Sequence, residues 1–312
     1  MLAASVLWGT TGTAAAHAPA GTSPLAVGAG AMGLGGLLLA VSACPATLRC
    51  LRRGEIRVPL VIGVAAVGAY PLAFYTSMHD AGVAVGVSVT IGVSPIFAAM
   101  IERMVNGRRL TRGWAIATVL GALGIGIMGM SVRGFGPGHP FIAMGIVLGL
   151  AAGAAYATYS WAASRLIAAG ESPQGAMGAV FGLAALWLIP LAIATGGPLL
   201  RTADSLGIIC YLAVGPMLVG YTLFGRGLRT NSASVATTLS LVEPVVAAAL
   251  SEILLGQRLN GPARIGVALI AVSVLTLTIG SEQNPSISPA QQAPAAVGPT
   301  APLRPHTGIA EA

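Results

Sequence analysis

Apolar stretches of similar length, each ended by Pro, Gly or Arg, fill the first 280 residues of the chain. Such runs, apolar around their whole circumference, suit helices surrounded by lipid, because roughly 20 residues span the hydrocarbon layer. The pattern predicts helices over residues 2–17, 24–43, 58–78, 81–101, 112–131, 140–161, 174–195, 205–225, 232–254 and 262–280. The expected fold class is all-α integral membrane, with about ten transmembrane helices. The first run is short and is closed by Ala18-Pro19. No Lys or Arg precedes Arg49, so it lacks the basic flank of a signal peptide and is expected to be a retained helix that has lost a few residues at its start. Beyond Gly280 the apolar pattern stops, and residues 281–312, spaced by Pro285, Pro289, Pro294, Pro299, Pro302 and Pro305, predict a disordered cytoplasmic tail.

Composition points the same way. Only 8% of residues are charged, whereas a soluble domain carries about a quarter. The 43 glycines would weaken soluble helices, but they let membrane helices approach closely. The basic residues are all Arg. Arg49, Arg52, Arg53 and Arg57 follow helix 2; Arg103, Arg108, Arg109 and Arg112 follow helix 4; Arg165 follows helix 6; Arg226 and Arg229 follow helix 8. The alternate loops hold only Arg133, Arg201, Arg258 and Arg264. Positive charge marks the cytoplasmic side, so both termini are expected there, in a bacterial-type inner membrane. The net charge of +7 is then loop charge, with no basic stripe interleaved with aromatics and hence no nucleic-acid partner. Cys44, Cys50 and Cys210 form neither a disulfide framework nor a metal cluster.

The chain also repeats itself. With Pro95 aligned on Pro244, residues 93–122 and 242–271 are identical at ten of thirty positions, including Val93/Val242, Ala98/Ala247, Ala99/Ala248, Gly107/Gly256, Arg109/Arg258 and Leu110/Leu259. This divides the chain into residues 1–134 and 139–280, two units of five helices each. An odd number of crossings inverts the second copy, and inverted pairs commonly build transporters with a site at the bilayer midplane between the halves.

The residues carrying the repeat resemble a known family. Ser94-Pro95-Ile96-Phe97-Ala98-Ala99 with Asn106-Gly107-Arg108-Arg109-Leu110 is similar to the fourth-helix signature of EamA-type transporters, in the drug/metabolite transporter (DMT) superfamily. Leu241-Val242-Glu243-Pro244-Val245-Val246-Ala247, followed by Leu254-Leu255-Gly256-Gln257-Arg258-Leu259, is closer still, and Leu7-Trp8-Gly9-Thr10 resembles the family's opening Trp-Gly. The resemblance spans residues 1–280. It implies a ten-helix, two-repeat fold and movement of small metabolites, often amino acids or their relatives, usually outward, without catalysis or organic cofactor. Arg108 and Gln257 stand where the family usually has Glu, and Ala31 falls roughly where many members have Arg, so no gating or ion coupling is carried over from relatives.

Within this frame Glu243 is the leading candidate for solute binding or coupling, a carboxyl near the middle of helix 9 with about ten residues of helix on either side. An acid at that depth faces a cavity or a partner; it could hold an ammonium group or a transported proton, or else anchor a hydrogen bond to serines on helix 4. Pro95 and Pro244 sit mid-helix at equivalent positions, where each removes a backbone donor and could kink or gate the helix. Ser94 aligns with Glu243 and Ser88 with Thr237. Ser5, Trp8 and Thr11 share a face of helix 1, Tyr156, Tyr159 and Ser160 form a stripe on helix 6, and Tyr75 and Tyr221 add phenols from helices 3 and 8. These residues could line a cavity for a small amphipathic solute, or bond helix to helix. Glu102, Arg103 and Glu252 are expected as interface charges, and His79-Asp80 as a solvated turn. Gly145, Gly149 and Gly153 mark close packing, within the monomer or in a homodimer.

The leading reading is a secondary transporter that exports amino acids or similar metabolites. The chain has no Lys, hence no Walker motif and no ATPase domain. A lipid-modifying membrane enzyme would need convergent acids or histidines at depth, but His17, His79, His139 and His306 fall in loops or near the termini. Cation-drug efflux, as in small multidrug resistance proteins, is the other alternative; helix 1 has no acid, so that analogy rests on Glu243.

Overall fold

Hydrocarbon offers the backbone no hydrogen bonds, so apolar segments must satisfy their own amides, and the helix does this within one segment. The computed structural model describes residues 1–15, 17–19, 21–81, 83–107, 111–131, 141–200, 203–255 and 260–282, and contains no strand among them. The tail at 283–312, together with Arg108, Arg109, Gln257, Arg258, Arg133 and His139, lies outside the described residues.

The helices are α1 (Leu2–Gly9), α2 (Thr11–Ala15), α3 (Pro24–Ser42), α4 (Cys44–Arg52), α5 (Arg57–Ala81), α6 (Val83–Asn106), α7 (Arg112–Ser131), α8 (Ile142–Ala168), α9 (Pro173–Thr195), α10 (Ala203–Leu212), α11 (Tyr221–Gly227), α12 (Ala233–Leu239), α13 (Glu243–Leu255) and α14 (Gly261–Glu282). A π-helical stretch, Ala213–Gly220, joins α10 to α11, and a 3₁₀ turn, Ser240–Val242, joins α12 to α13. Among the described residues, seven helical segments are long and apolar enough to cross a membrane: Pro24–Ser42, Gly54–Ala81, Val85–Val105, Ile142–Ala168, Pro173–Thr195, Ala203–Gly227 and Ala233–Leu250. Arg112–Met128 and Gly261–Leu277 are shorter apolar runs.

Two of the predicted segments need correction here. The run 2–17 is not one helix: it breaks at Thr10, whose hydroxyl donates to the Leu7 carbonyl at 2.7 Å and competes with helix continuation. Residues 44–52, read as loop, form α4, which Pro45 starts and which carries Arg49 and Arg52 in its last turn.

α3 runs along α9, α5 along α8, and α7 along α14, while α6 packs between α7, α8 and α12. The α8 glycine stripe is used inside the chain. A Cβ at Gly149 would meet Ser77 Oγ at 3.0 Å, and one at Gly153 would meet the Thr90 carbonyl at 2.8 Å. Ser77 Oγ donates to the Gly145 carbonyl at 2.6 Å, so the close approach is also hydrogen-bonded.

Two carboxylates hold the helix ends together. Arg53 donates to Glu171 Oε1 at 2.9 Å and to the Ala169 carbonyl at 3.0 Å, tying the start of α5 to the α8–α9 turn. Cys50, buried beside this pair, has its thiol pushed up to about 12, by burial first and then by the Glu171 charge, with Arg53 opposing. Glu102 is not the interface charge that its position suggests. It is 3% exposed and caps α12 from a different helix, accepting from the Ala233 amide at 2.8 Å and from the Ser234 hydroxyl at 2.6 Å. The first amides of a helix lack partners of their own, and a buried carboxylate supplies them. Glu102→Ala strands these donors in an apolar setting, and unfolding of the purified protein in detergent is expected to show a loss of about 2–4 kcal/mol.

Candidate functional site

Where α1, α3, α5, α6, α8, the α10–α11 segment and α13 converge, they leave a cavity of about 50 Å³ lined by Trp8, Thr11, Ala31, Met32, Tyr70, Phe74, Tyr75, Ile91, Tyr156, Tyr159, Met217, Tyr221 and Glu243. It is walled largely by aromatic rings.

The rings are held by contacts the sequence builds deliberately. Trp8, 6% exposed, donates from Nε1 to the Pro216 carbonyl at 2.9 Å. Pro216 lies in the π-helical stretch, and a Cβ at Gly220 would come within 2.8 Å of the same indole nitrogen. Tyr159 and Tyr221 share a hydroxyl–hydroxyl bond at 2.9 Å, and Phe181 packs on Tyr221 with centroids 4.2 Å apart. Tyr70 stacks on Phe74 at 5.2 Å and meets Tyr159 edge-on at 5.9 Å. Gly28 on α3 makes room for Tyr75, since a Cβ there would overlap the phenol ring.

The Tyr156 hydroxyl lies beside Ser240, which gives its own proton to the Thr237 carbonyl at 2.7 Å and keeps its lone pairs for the phenol. Glu243, half-buried, makes no hydrogen bond or ion pair with any described residue.

Glu243 owes its placement to a broken helix. The predicted continuous helix 232–254 divides into α12, a 3₁₀ turn and α13, with Glu243 as the first residue of α13 and Pro244 as the second. Pro lacks the amide that would bond the carbonyl four residues back, and its ring crowds that turn, so the helix restarts at the position where Pro is tolerated. Pro244 is therefore a helix start, whereas Pro95 remains inside the continuous α6. Pro95 cannot donate to the carbonyl of Ile91, a cavity residue.

Of the candidates read from sequence, Trp8, Tyr75, Tyr156, Tyr159, Tyr221 and Glu243 all line the cavity. Ser94 does not. It is fully buried, donates to the Thr90 carbonyl of its own helix at 2.6 Å and packs beside Gly153, so it neither lines the site nor anchors Glu243. Tyr70 and Phe74 were missed, although their four-residue spacing on one helix face is a readable signal. Ala31, Met32, Ile91 and Met217 carry no such signal.

A family model described as "EamA-like transporter family" matches residues 1–130 and again 143–279. The chain is 32% identical over 284 residues to "Uncharacterized transporter YwfM" of Bacillus subtilis (strain 168), covering 89% of this chain and 92% of that protein. A solved crystal structure that is 20% identical covers 91% of this chain and 96% of its own, with a TM-score of 0.75, a likeness of fold.

An uncommitted carboxyl weakens a fold, whereas an anchoring one supports it. Thermal unfolding in detergent is expected to show Glu243→Gln at least as stable as the parent, while Tyr159→Phe, which breaks a buried bond, loses about 1 kcal/mol. A large loss in Glu243→Gln would instead identify an anchor.

Proposed function

The chain belongs to the EamA-like transporter family, and from that premise we propose that it is a secondary transporter that exports small amine-bearing metabolites, amino acids or their relatives, by alternating access. The family makes it a multi-pass membrane protein and a transporter rather than an enzyme, acting on a small-molecule solute in lipid. The finer reading is our own, and one observation carries it: the Glu243 carboxyl, with no partner among the described residues, lines an aromatic cavity.

The proposed architecture is two inverted five-helix repeats, residues 1–134 and 139–280. The packing supports it. Numbered as ten spans, α3 and α9 are equivalent helices in contact, as are α7 and α14, and α6 and α12. The contact of α5 with α8 has its counterpart in α1 with the α10–α11 segment, and that of α6 with α8 has its counterpart in α1 with α13. Exchanging the halves thus returns the same neighbours, the property a rocking pair requires. The family model's two successive matches agree with this division. The arginine distribution supports a cytoplasmic position for both termini.

A cavity of about 50 Å³ must enlarge to admit a solute. The helix break before Glu243 and the π-helical stretch opposite it are places where that movement can occur without dismantling a continuous helix. Facilitated diffusion and proton exchange are separated by one experiment. In proteoliposomes, labelled amino acids and their amines are expected to show saturable uptake that a pH gradient accelerates and that Glu243→Gln abolishes. Uptake that ignores the gradient and survives in Glu243→Gln would contradict a coupling or binding role for the carboxyl.

A further inference from the structure

The segment between α3 and α5 carries charge that the fold does not use. Residues 49–57 hold four arginines against one acid, Glu55. Arg53 is spent on Glu171 and, at 3.6 Å, on Glu55. Arg49, Arg52 and Arg57 are exposed, and none of the three makes a hydrogen bond or ion pair with a described residue. The helix that presents two of them is two-faced. On α4, Thr47 and Cys50 are buried, Thr47 against Gly178 of α9, while Leu48, Arg49 and Arg52 lie on the opposite, exposed face. Its level relative to the bilayer follows from α9. A Cβ at Gly175, in the first turn of α9, would come within 3.0 Å of Ala46, and Arg53 meets Glu171 just before that turn. The helix therefore lies where α9 begins its apolar span. Arg57 stands at the same level as the first residue of α5, followed by Val58 and Val61, which are 69% and 65% exposed on a membrane-spanning helix.

We propose that Arg49, Arg52 and Arg57 form a binding surface for anionic phospholipids, with the headgroup phosphate on the guanidinium groups and the acyl chains along Leu48, Val58 and Val61. Three unpaired guanidinium groups repel one another, and a phosphate relieves that repulsion while accepting from the planar N–H forks. Water alone would solvate the charges, but it leaves the neighbouring Leu48, Val58 and Val61 exposed. A phospholipid matches both, because its phosphate and its chains meet at the depth where an arginine stem can lie along apolar surface and lift its head toward water. A short two-faced helix beside a membrane span, with its arginines turned outward, is the arrangement that holds acidic headgroups by charge. On the proposed orientation the lipid belongs to the cytoplasmic leaflet.

Native mass spectrometry tests this on the full-length protein, released from detergent that contains equal amounts of phosphatidylglycerol and phosphatidylcholine with the same acyl chains. The parent is expected to retain phosphatidylglycerol over phosphatidylcholine by at least about tenfold, each arginine at a lipid surface contributing about fivefold. Replacing the three together, Arg49→Gln, Arg52→Gln and Arg57→Gln, is expected to remove most of that preference. The pair Arg226→Gln and Arg229→Gln, which removes two exposed arginines elsewhere, is expected to keep it. Circular dichroism confirms that each variant is folded. Glycerol 3-phosphate, the headgroup chemistry without chains, is expected not to displace the lipid. Equal retention of both lipids by the parent, a preference unchanged in the triple variant, or one lost equally in the control pair overturns the proposal. Displacement by glycerol 3-phosphate also overturns it, by showing a site for free phosphate. No solute flux is read, so the transport proposal and this one stand or fall separately.

Discussion

Hydrocarbon gives a polar group nothing to bond, so each one that enters the membrane must be satisfied by the chain itself. That constraint organises the structure. Serines and threonines inside helices return their protons to carbonyls one turn back, as Ser94 does to Thr90 and Ser160 does to Tyr156. Ser77 and Thr90 reach carbonyls of the neighbouring α8, so that the glycine stripe is both a close contact and a hydrogen-bonded one. Glu102 and Glu171, two buried acids, are consumed by the first turn of α12 and by Arg53. The Glu243 carboxyl on the cavity wall differs from these acids in making no hydrogen bond or ion pair with any described residue.

The same constraint explains what was legible in the sequence. Periods of apolar residues fixed the long helices to within a few residues, Arg112–Ser131 and Pro173–Thr195 among them, because a span that fails to reach across the bilayer leaves amides unpaired. Glu243, Trp8 and Tyr75, Tyr156, Tyr159 and Tyr221 were legible as lining of one cavity because polar and aromatic groups at depth are costly and so need a reason. The break at Ser240–Val242 was not legible as a break, since Pro244 reads equally as a kink within a helix or as the first turn of a new one. Glu102 was misread because its partner amides begin a helix 131 residues further on, a contact that no local pattern encodes. The apolar lining at Met32, Ile91 and Met217 looks like any other membrane residue.

On the proposed two-repeat architecture the two halves differ at the cavity. Equivalent positions diverged: Ser94 became a packing residue where its counterpart Glu243 remained at the cavity, and Pro95 stayed inside α6 where Pro244 opens α13. On the proposed two-repeat architecture equivalent helices keep equivalent neighbours, while among the described lining residues the cavity has one acid, Glu243, rather than two.

The most direct measurement of this account is modification of the membrane-embedded protein by a lipid-soluble carbodiimide, with the adducts mapped by mass spectrometry. Carbodiimides attack carboxyl groups that are free to take a proton in an apolar setting. The account expects Glu243 to react first, with Glu102 and Glu171 spared by their amide and guanidinium partners. Modification of Glu102 or Glu171 while Glu243 stays intact would contradict it, because Glu243 would then be engaged and the cavity would hold no open carboxyl.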